Sequence, residues 1–537
     1  SHGEFFHNGG RFDMNGVSGD NLVLGSNATA SGSYYLTDGY LSVGRQTQVG
    51  ANGTGLFVQS GGTFIASDQA SGGSLWIGAN AGSDGTYLMQ GGTMIAAEGR
   101  LDIAKNGNGY MHQTGGYVQS GIDAILPLHN LTVGNEDVRD MAIADGATGT
   151  GTYVLDAGTL VCTSNFHIAT TNGGNGVMIQ NGGLVINDRP TTSNTSKMSV
   201  GESGVGKYIL NGGELRIGVD YSHRQEFHIG VNATGVGSFE IHDGGTLTLH
   251  ATRAVARIGN SGTGYFTMDG GDVNFGNTVF LGNNGTGYGN LRISGGTIDA
   301  DGEVRVGSSG DANLIISGGV FTSNSNMVVG YGSTSDAQVD QTGGVVNAGG
   351  ANGIRIGRAG NGVYNHSGGT LNVEGSGLEF LVGNYGGTGE YNLSSAGVLN
   401  VTGNAEIGRG GIAPGGTGIV NQSGGEANIS GYMRLGAGAL DVGTYNYTGG
   451  DLAIGGSLHL GGGATGQGTF NLGSGQDLAV TKDVFIGVAG TGHFASTHGG
   501  LNARVVQLGD DGTFSLSGGS ASIDSLISVT GRTMDLN

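Results

Sequence analysis

Proline, cysteine and tryptophan are nearly missing from this chain of 537 residues, which contains 3, 1 and 1 of them. With the single cysteine, Cys162, no disulfide can form within the chain. So few prolines exclude a collagen helix, which needs abundant proline and a glycine at every third position. No apolar run reaches the length of a membrane-spanning helix, and no basic-then-apolar leader opens the sequence. We therefore expect no membrane insertion, and we interpret the chain as a processed or excised product.

Charged residues are also scarce, and acids outnumber bases. They make up 12% of the chain, and the formal net charge is −21. This acidic balance repels nucleic acid and anionic lipid surfaces, so we expect neither of them as a partner. The hydrophobic content of 36% is regularly spaced and provides a stripe that can be buried, which argues against disorder.

Motifs of the common catalytic and ligand-binding sites are missing as well. The sequence has no G-x-S-x-G nucleophile elbow, no H-E-x-x-H, no P-loop and no EF-hand loop. The calcium-binding G-G-x-G-x-D repeat is missing too. We therefore predict no cofactor and no dedicated metal site. Acid pairs such as Asp299 and Asp301 leave weak Ca²⁺ binding open, since calcium accepts loosely arranged oxygen ligands.

Glycine is what the chain has in abundance, with 118 residues. A glycine pair followed by a small or polar residue and then an aliphatic one returns along the whole chain, as in Gly61-Gly62-Thr63-Phe64. Many of these copies are spaced by about 25 residues, for example from Gly319 to Gly344 to Gly369. A fixed period of this size indicates one small unit stacked on copies of itself.

One unit of the repeat spans residues 255–281. Three short stretches of alternating apolar residues, near Val255, Tyr265 and Val273, are separated by glycine-rich turns. Each strand should pair in parallel with its counterpart in the next unit. The pattern predicts an all-β, right-handed parallel β-helix with three short strands per rung and about 20 rungs.

The repeat runs from end to end without a break in composition, so we predict one continuous β-solenoid domain over residues 1–537. Two segments interrupt the period, near 121–150 and near 185–200. Insertions in solenoids map to loops on one face, where binding sites tend to lie.

These motifs resemble a known group. The G-x-G-x-Tyr/Phe … GGxLxV … LxIGxxGxG pattern is similar to the glycine-rich autotransporter-type β-strand repeats of bacterial secreted passengers and PEP-CTERM-type surface proteins. The resemblance covers nearly the whole chain, from Gly9-Gly10 to Gly518-Gly519. It implies a β-solenoid from an exported bacterial protein, located outside the cell or on its surface. The group includes adhesins, fibres and scaffolds of enzymes, so the resemblance leaves the function open.

The outward position of the strand before the Ile-Gly turn carries a recurring base. Stacking should align these bases in one column, a contact line for an anionic polysaccharide or an acidic neighbouring rod. A solvated face, in which long side chains cover the strand backbone, explains the same pattern. Trp76 takes an outward slot too and is an exposed apolar candidate for contact. The predicted binding residues are Trp76, His228, Arg257, Arg305, Arg355 and Arg434; His167 and His459 occupy equivalent positions.

The most charge-rich stretch contains Tyr221, His223 and Arg224. Polysaccharide lyases with a β-helix fold gather such residues on one face, where a cation neutralises a uronate and a base removes the neighbouring proton. Nothing in the spacing requires this chemistry, and an exposed turn explains the residues as well. We therefore assign no catalytic residue and keep these three as candidates only.

These observations favour a non-catalytic extracellular structural protein that joins end to end with itself, or with other surface proteins, into fibres or matrix. No amphipathic helix that would cap the stack is predicted, and uncapped sheet edges tend to associate. Two alternatives remain open: a lyase acting on an acidic polysaccharide, and an adhesin that binds a glycan through the basic column.

Overall fold

In the computed structural model, the chain is described except for residues 15–19, 68–72, 122–138, 189–195, 219–224, 251–253, 352, 376–377, 411–414, 529–534 and 537. The described part of the chain contains strands and turns and no helix. It divides into two compact units. Unit 1 is Ser1–Asn277 with Thr286–Tyr288, and unit 2 is Thr278–Gly285 with Gly289–Asn537.

Each turn of unit 1 has three strands, which form three faces of the coil. The strands of the first face are β1 (His2–Met14), β3 (Ser31–Val43), β5 (Thr54–Gln59), β8 (Asp84–Met89), β11 (Asn108–Gln113), β14 (Thr150–Leu155), β17 (Asn175–Gln180), β20 (Val205–Leu210), β23 (Val236–Ile241) and β26 (Thr263–Met268), of which β1 and β3 continue into the second face. The second face adds β6 (Thr63–Ala66), β9 (Thr93–Ala96), β12 (Tyr117–Ser120), β15 (Thr159–Cys162), β18 (Leu184–Asn187), β21 (Gly213–Ile217), β24 (Gly245–Leu249) and β27 (Asp272–Phe275). The third face consists of β2 (Leu22–Leu24), β4 (Thr47–Val49), β7 (Ser74–Ile77), β10 (Arg100–Ile103), β13 (Met141–Ile143), β16 (Phe166–Ile168), β19 (Ser196–Val200), β22 (Gln225–Ile229) and β25 (Val255–Ile258).

Unit 2 repeats the same order. Its third face contains β28 (Val279–Leu281), β31 (Val304–Val306), β34 (Met327–Val329), β37 (Ile354–Ile356), β40 (Leu378–Asn384), β43 (Asn404–Arg409), β45 (Met433–Leu435) and β47 (Leu458–Leu460). The first face contains β29 (Tyr288–Ile293), β32 (Asp311–Ile316), β35 (Asp336–Gln341), β38 (Asn361–His366), β41 (Thr388–Leu393), β48 (Gln467–Leu472), β50 (Thr491–Thr497), β52 (Gly512–Ser517) and β54 (Asp535–Leu536). The second face contains β30 (Thr297–Ala300), β33 (Val320–Ser323), β36 (Val345–Ala348), β39 (Thr370–Val373) and β42 (Val398–Val401). Five longer strands cover two faces: β44 (Thr417–Ile429), β46 (Val442–Ile454), β49 (Asp477–Ile486), β51 (Gly500–Leu508) and β53 (Ser520–Ser528).

Every strand pairs in parallel with its counterpart one turn along the chain. In β5 and β8, for example, Thr54 lies opposite Asp84 and Phe57 opposite Tyr87. Alternate residues are more deeply buried along first-face strands such as β5 and β8, because the pleat directs successive side chains to opposite sides. The predicted all-β parallel solenoid with three strands per rung is confirmed, and the number of turns lies close to the predicted one. The right-handed coil and the single domain stay predictions.

Glycine follows most third-face strands, where the next turn approaches closely. Gly357 follows β37 with φ of +69°, a left-handed conformation that side chains disfavour. A Cβ atom there would lie 2.1 Å from the carbonyl oxygen of Thr388. The recurring Ile-Gly dipeptide thus suits the corner between the third and first faces, although Ala104, Ala144 and Ala169 hold the equivalent position in three turns of unit 1 with φ of +60°, +61° and +59°.

The fourth residue of each first-face strand points into the core, and aromatic rings stack there. The ring centroids of Tyr34 and Phe57 are 5.0 Å apart, and those of Phe57 and Tyr87 are 4.8 Å apart. The sequence pattern predicts an inward stack at this position, and all three side chains are buried. Offset stacking of rings adds to the free energy gained from their burial.

A pairing rule links consecutive turns of this core. Each buried tyrosine at the fourth position bonds through its hydroxyl group to a glutamine or histidine at the sixth position of the preceding turn. The pairs are His7–Tyr34, Gln59–Tyr87, Gln113–Tyr153, Gln180–Tyr208, Gln341–Tyr364, His366–Tyr391 and Gln422–Tyr445. Where the fourth residue is phenylalanine, the preceding turn usually carries an apolar partner, as Leu36 does for Phe57, although Phe514 follows Ser496. The rule follows from the cost of burying a hydroxyl group without a hydrogen bond.

His366 makes one of these pairs sensitive to acid. Its Nδ1 lies 2.7 Å from the hydroxyl oxygen of Tyr391, its Nε2 lies 3.1 Å from the carbonyl oxygen of Gly369, and burial lowers its pKa to about 4. The unfolded chain therefore binds a proton before the folded chain does. We expect the stability to be independent of this group above pH ~6.5 and to fall as the pH decreases toward about 4.

The variant His366→Gln tests this expectation, because Gln341 fills the same role one turn earlier. We expect His366→Gln to show a weaker loss of stability between pH 6.5 and 4 in urea unfolding followed by circular dichroism. An identical pH profile for both proteins would contradict the proposed titration.

The longest connections occur at the corner between the second and third faces. β12 ends at Ser120 and β13 begins at Met141, whereas β9 ends at Ala96 and β10 begins at Arg100. The strands on both sides keep their register, with Val118 opposite Leu160 and Leu101 opposite Met141. Much of the predicted insertions near 121–150 and 185–200 lies outside the described residues.

Candidate functional site: the outward column of the third face

Each third-face strand directs one central side chain away from the core. We call this series the outward column. In unit 1 the outward column is Val23, Gln48, Trp76, Asp102, Ala142, His167, Ser199, His228 and Arg257. In unit 2 it is Phe280, Arg305, Val328, Arg355, Leu381, Glu406, Arg434, His459, Phe485, Gln507 and Ile527. The predicted basic residues therefore align within each unit, but acids and apolar residues interrupt the series.

His228 and Arg257 belong to a buried charge cluster in unit 1. His228 is only 4% exposed, and a guanidinium nitrogen of Arg257 lies 2.7 Å from its Nε2. Glu226 lies 3.1 Å from Arg257 and 3.3 Å from His228. Burial lowers the pKa of His228, so the imidazole is neutral and accepts the hydrogen bond from Arg257. A solvated basic face, one of the two sequence interpretations, is wrong at this point.

A second cluster on this face was missed from the sequence. Asp102 is fully buried in the outward column, with Arg100 Nε at 3.4 Å and Lys105 Nζ at 3.6 Å. Asp145 binds the same two cations at 3.1 and 3.5 Å. Burial raises the pKa of Asp102 to about 6 despite these cations. The available signal was the alternation in β10, which places Arg100 and Asp102 on the same side of the strand.

Trp76 occupies the predicted outward slot but is only half exposed. The Nζ of Lys105 lies 4.7 Å from the centroid of its ring, within the range of a cation–π interaction. The expectation of an exposed tryptophan is therefore wrong, because a lysine from the next turn covers the ring.

In unit 2 two of the three predicted arginines have acidic partners. Arg305 pairs with Glu303, and Arg434 lies 3.3 Å from Glu406. Arg434 also stacks on the ring of Tyr432, 4.3 Å from its centroid. Arg355 forms no ion pair with any described residue, and its Nε is buried without a hydrogen bond. Arg355 is thus the predicted binding residue whose charge is least compensated.

The candidate catalytic residues Tyr221, His223 and Arg224 lie outside the described residues. Within the described ranges, no three His, Cys, Asp or Glu side chains gather as a metal site would require. Asp299 and Asp301 both accept hydrogen bonds from the amide of Asn324, at 2.8 and 3.1 Å. Weak Ca²⁺ binding at such acid pairs stays a prediction.

Cys162 lies in the core, at the end of β15, and its thiol bonds to the carbonyl oxygen of Asn165 at 3.3 Å. Burial raises its pKa to about 12, so almost no thiolate forms at neutral pH. We expect Ellman's reagent to leave the folded protein unlabelled over hours at pH 8 and to label one thiol at once in guanidinium chloride. Rapid labelling of the folded chain would show that the thiol is accessible.

No protein-family model matches the chain, and no curated protein matches it. Within the described ranges, no helix is long and apolar enough to cross a bilayer.

Proposed function

We propose that the chain is a non-catalytic structural protein of the bacterial cell surface, which self-associates end to end into fibres or matrix. The observation that carries this proposal is the aromatic stack at β1, which a further turn of the same kind would continue. Among the described strands, β1 pairs with β3 and with no other strand. An unpaired strand edge offers hydrogen-bonding groups to a further strand.

The core stack of unit 1 continues to this edge without a cover. Phe5 is in register with Tyr34, and their ring centroids are 5.0 Å apart, yet Phe5 is 47% exposed. Phe6 and Phe12 beside it are 59% and 42% exposed. Rings at the fourth position of later turns, such as Tyr34 and Phe57, are covered by a ring on each side, whereas Phe5 is covered on one side only. A turn supplied by a second copy would bury Phe5 in the same way.

Removing the aromatic edge tests the proposal. We expect the wild-type chain to form longer assemblies as its concentration rises, seen in sedimentation velocity and negative-stain images. Phe5→Ser/Phe6→Ser should shift this behaviour to higher concentration. The control Val205→Ser/Val236→Ser removes two exposed apolar side chains from β20 and β23, away from the edge, and should assemble like wild type. Single particles at all concentrations of the wild-type chain would refute self-association.

A further inference from the structure

The third face of unit 2 carries a local excess of positive charge on an acidic chain. On this face or at its edge lie five arginines, Arg305, Arg355, Arg358, Arg409 and Arg434, whose acidic partners among the described residues are Glu303 and Glu406. Glu303 pairs with Arg305, and Glu406 pairs with Arg409 at 2.9 Å and Arg434 at 3.3 Å. Both acids are therefore committed to other arginines. Arg355 and Arg358 form no ion pair with any carboxylate of the described residues.

Arg355 and Arg358 are left with unused donors. The Nε atoms of both are buried and have no hydrogen-bond partner. The neighbours of Arg355 in the outward column are Val328 on one side and Leu381 on the other, and both are buried and apolar. Burial lowers the pKa of Arg355, and the positive charge of Arg358 lowers it further. A bound anion that accepts hydrogen bonds from their terminal guanidinium nitrogens would relieve the repulsion.

Two tyrosines flank this pair. The guanidinium carbon of Arg358 lies 4.3 Å from the ring centroid of Tyr331 and 5.3 Å from that of Tyr385. Arg305 covers Tyr331 as well, at 3.8 Å. Tyr385 is 47% exposed and has φ of +47°, a left-handed conformation that is costly for a tyrosine. The backbone conformation of Tyr385 thus places its ring beside Arg358 and partly in solvent.

We propose that this surface binds a linear polysaccharide that carries carboxylates, with Arg355 and Arg358 holding the carboxylates and the exposed ring of Tyr385 contacting a sugar ring. The planar fork of arginine matches a carboxylate through two parallel hydrogen bonds. Successive turns are about 4.8 Å apart, close to the length of one sugar in an extended chain. A uronate polymer running along the column would therefore meet side chains from several turns with successive residues.

The charge of the whole protein favours a local site over a general polyanion surface. At a net charge of −21, the chain repels a polyanion everywhere except where arginines are concentrated. The sugar-ring contact also distinguishes this ligand from a lipid headgroup or a simple anion. Both the contact with the sugar ring and the attraction between arginine and carboxylate contribute to binding. The affinity should therefore fall as salt is added but persist at moderate ionic strength.

The test measures binding of polygalacturonate to the full chain by isothermal titration calorimetry at low salt. We expect Arg355→Gln/Arg358→Gln to bind roughly tenfold or more weakly than wild type, since two charge-assisted contacts are lost. The control Arg216→Gln/Arg504→Gln removes the same charge from two exposed arginines that pair with Glu214 and Asp483, and it should bind like wild type. Arg355→Lys/Arg358→Lys keeps the charge without the fork and should fall between the two.

Neutral dextran, dextran sulfate and single-stranded DNA complete the test. We expect no binding of dextran and weaker binding of the other two polymers than of polygalacturonate. Three outcomes would overturn the proposal. The first is equal affinity of wild type and Arg355→Gln/Arg358→Gln, and the second is an equal loss of affinity in the control variant. The third is that the protein binds only DNA or dextran sulfate. Circular-dichroism melting confirms that each variant is folded, and the lysine variant keeps the test decisive if the glutamine variant is not.

Discussion

Replacing Gly357 with alanine should be among the most damaging single changes in unit 2. The added Cβ atom would lie 2.1 Å from the carbonyl oxygen and 2.3 Å from the carbonyl carbon of Thr388 in the next turn, at φ of +69°. Backbone cannot move aside as a flexible side chain can. Conformational strain and overpacking together should cost about 2–5 kcal/mol of folding free energy.

Gly285→Ala is the matched control. A Cβ atom at Gly285 meets no atom within 4 Å, and its φ is not in the left-handed region. We expect the urea midpoint of Gly357→Ala, measured by circular dichroism, to fall well below that of wild type, with Gly285→Ala close to wild type. Similar midpoints for the two variants would show that the corner relaxes and that the glycine column is not a steric requirement.

Replacing Gln59 with leucine should cost about 1–3 kcal/mol, the second large effect expected here. The hydroxyl group of buried Tyr87 lies 2.5 Å from Gln59 Oε1 and would lose its partner. The amide of Gln59 also donates to the carbonyl oxygens of Gly62 and Thr93, at 3.2 and 3.0 Å. Tyr87→Phe alone should be destabilising too, because it leaves the glutamine oxygen buried and unpaired.

The double variant Gln59→Leu/Tyr87→Phe has a natural model in the turn before it, where Leu36 precedes Phe57. We expect the double variant to lose less stability than the sum of the two single variants, which a double-mutant cycle in urea measures. Additive losses would show that the hydroxyl group and the amide do not depend on each other.

The fold could be predicted because the information that determines it is local and repeated. Glycines mark the corners, alternation marks the strands, and stacking in register converts a position in the repeat into a column in space. The same conversion correctly aligned Arg305 and Arg355 within unit 2. The tyrosine rule was also readable, since each inward tyrosine follows a glutamine or histidine one turn earlier.

The state of the outward side chains could not be predicted, because it depends on contacts between turns. Trp76 is covered by Lys105, and His228 is buried against Arg257, a residue of the next turn. Glu406 neutralises Arg434 from the preceding turn. The length and direction of a partner side chain decide each case, and the repeat pattern does not encode either. Charge compensation, rather than the presence of arginine, is what separates Arg355 from its neighbours.

The uneven connections between the second and third faces have a consequence for how such a chain acquires new parts. After Ser120 the chain runs to Met141 before it rejoins the ladder, while a shorter link serves the same corner after Ala96. A longer connection at this corner leaves the pairing of the strands unchanged, so insertions can accumulate there during evolution without loss of the fold. The corner is equally a place where an epitope or a small domain could be grafted and displayed beside the third face of unit 1.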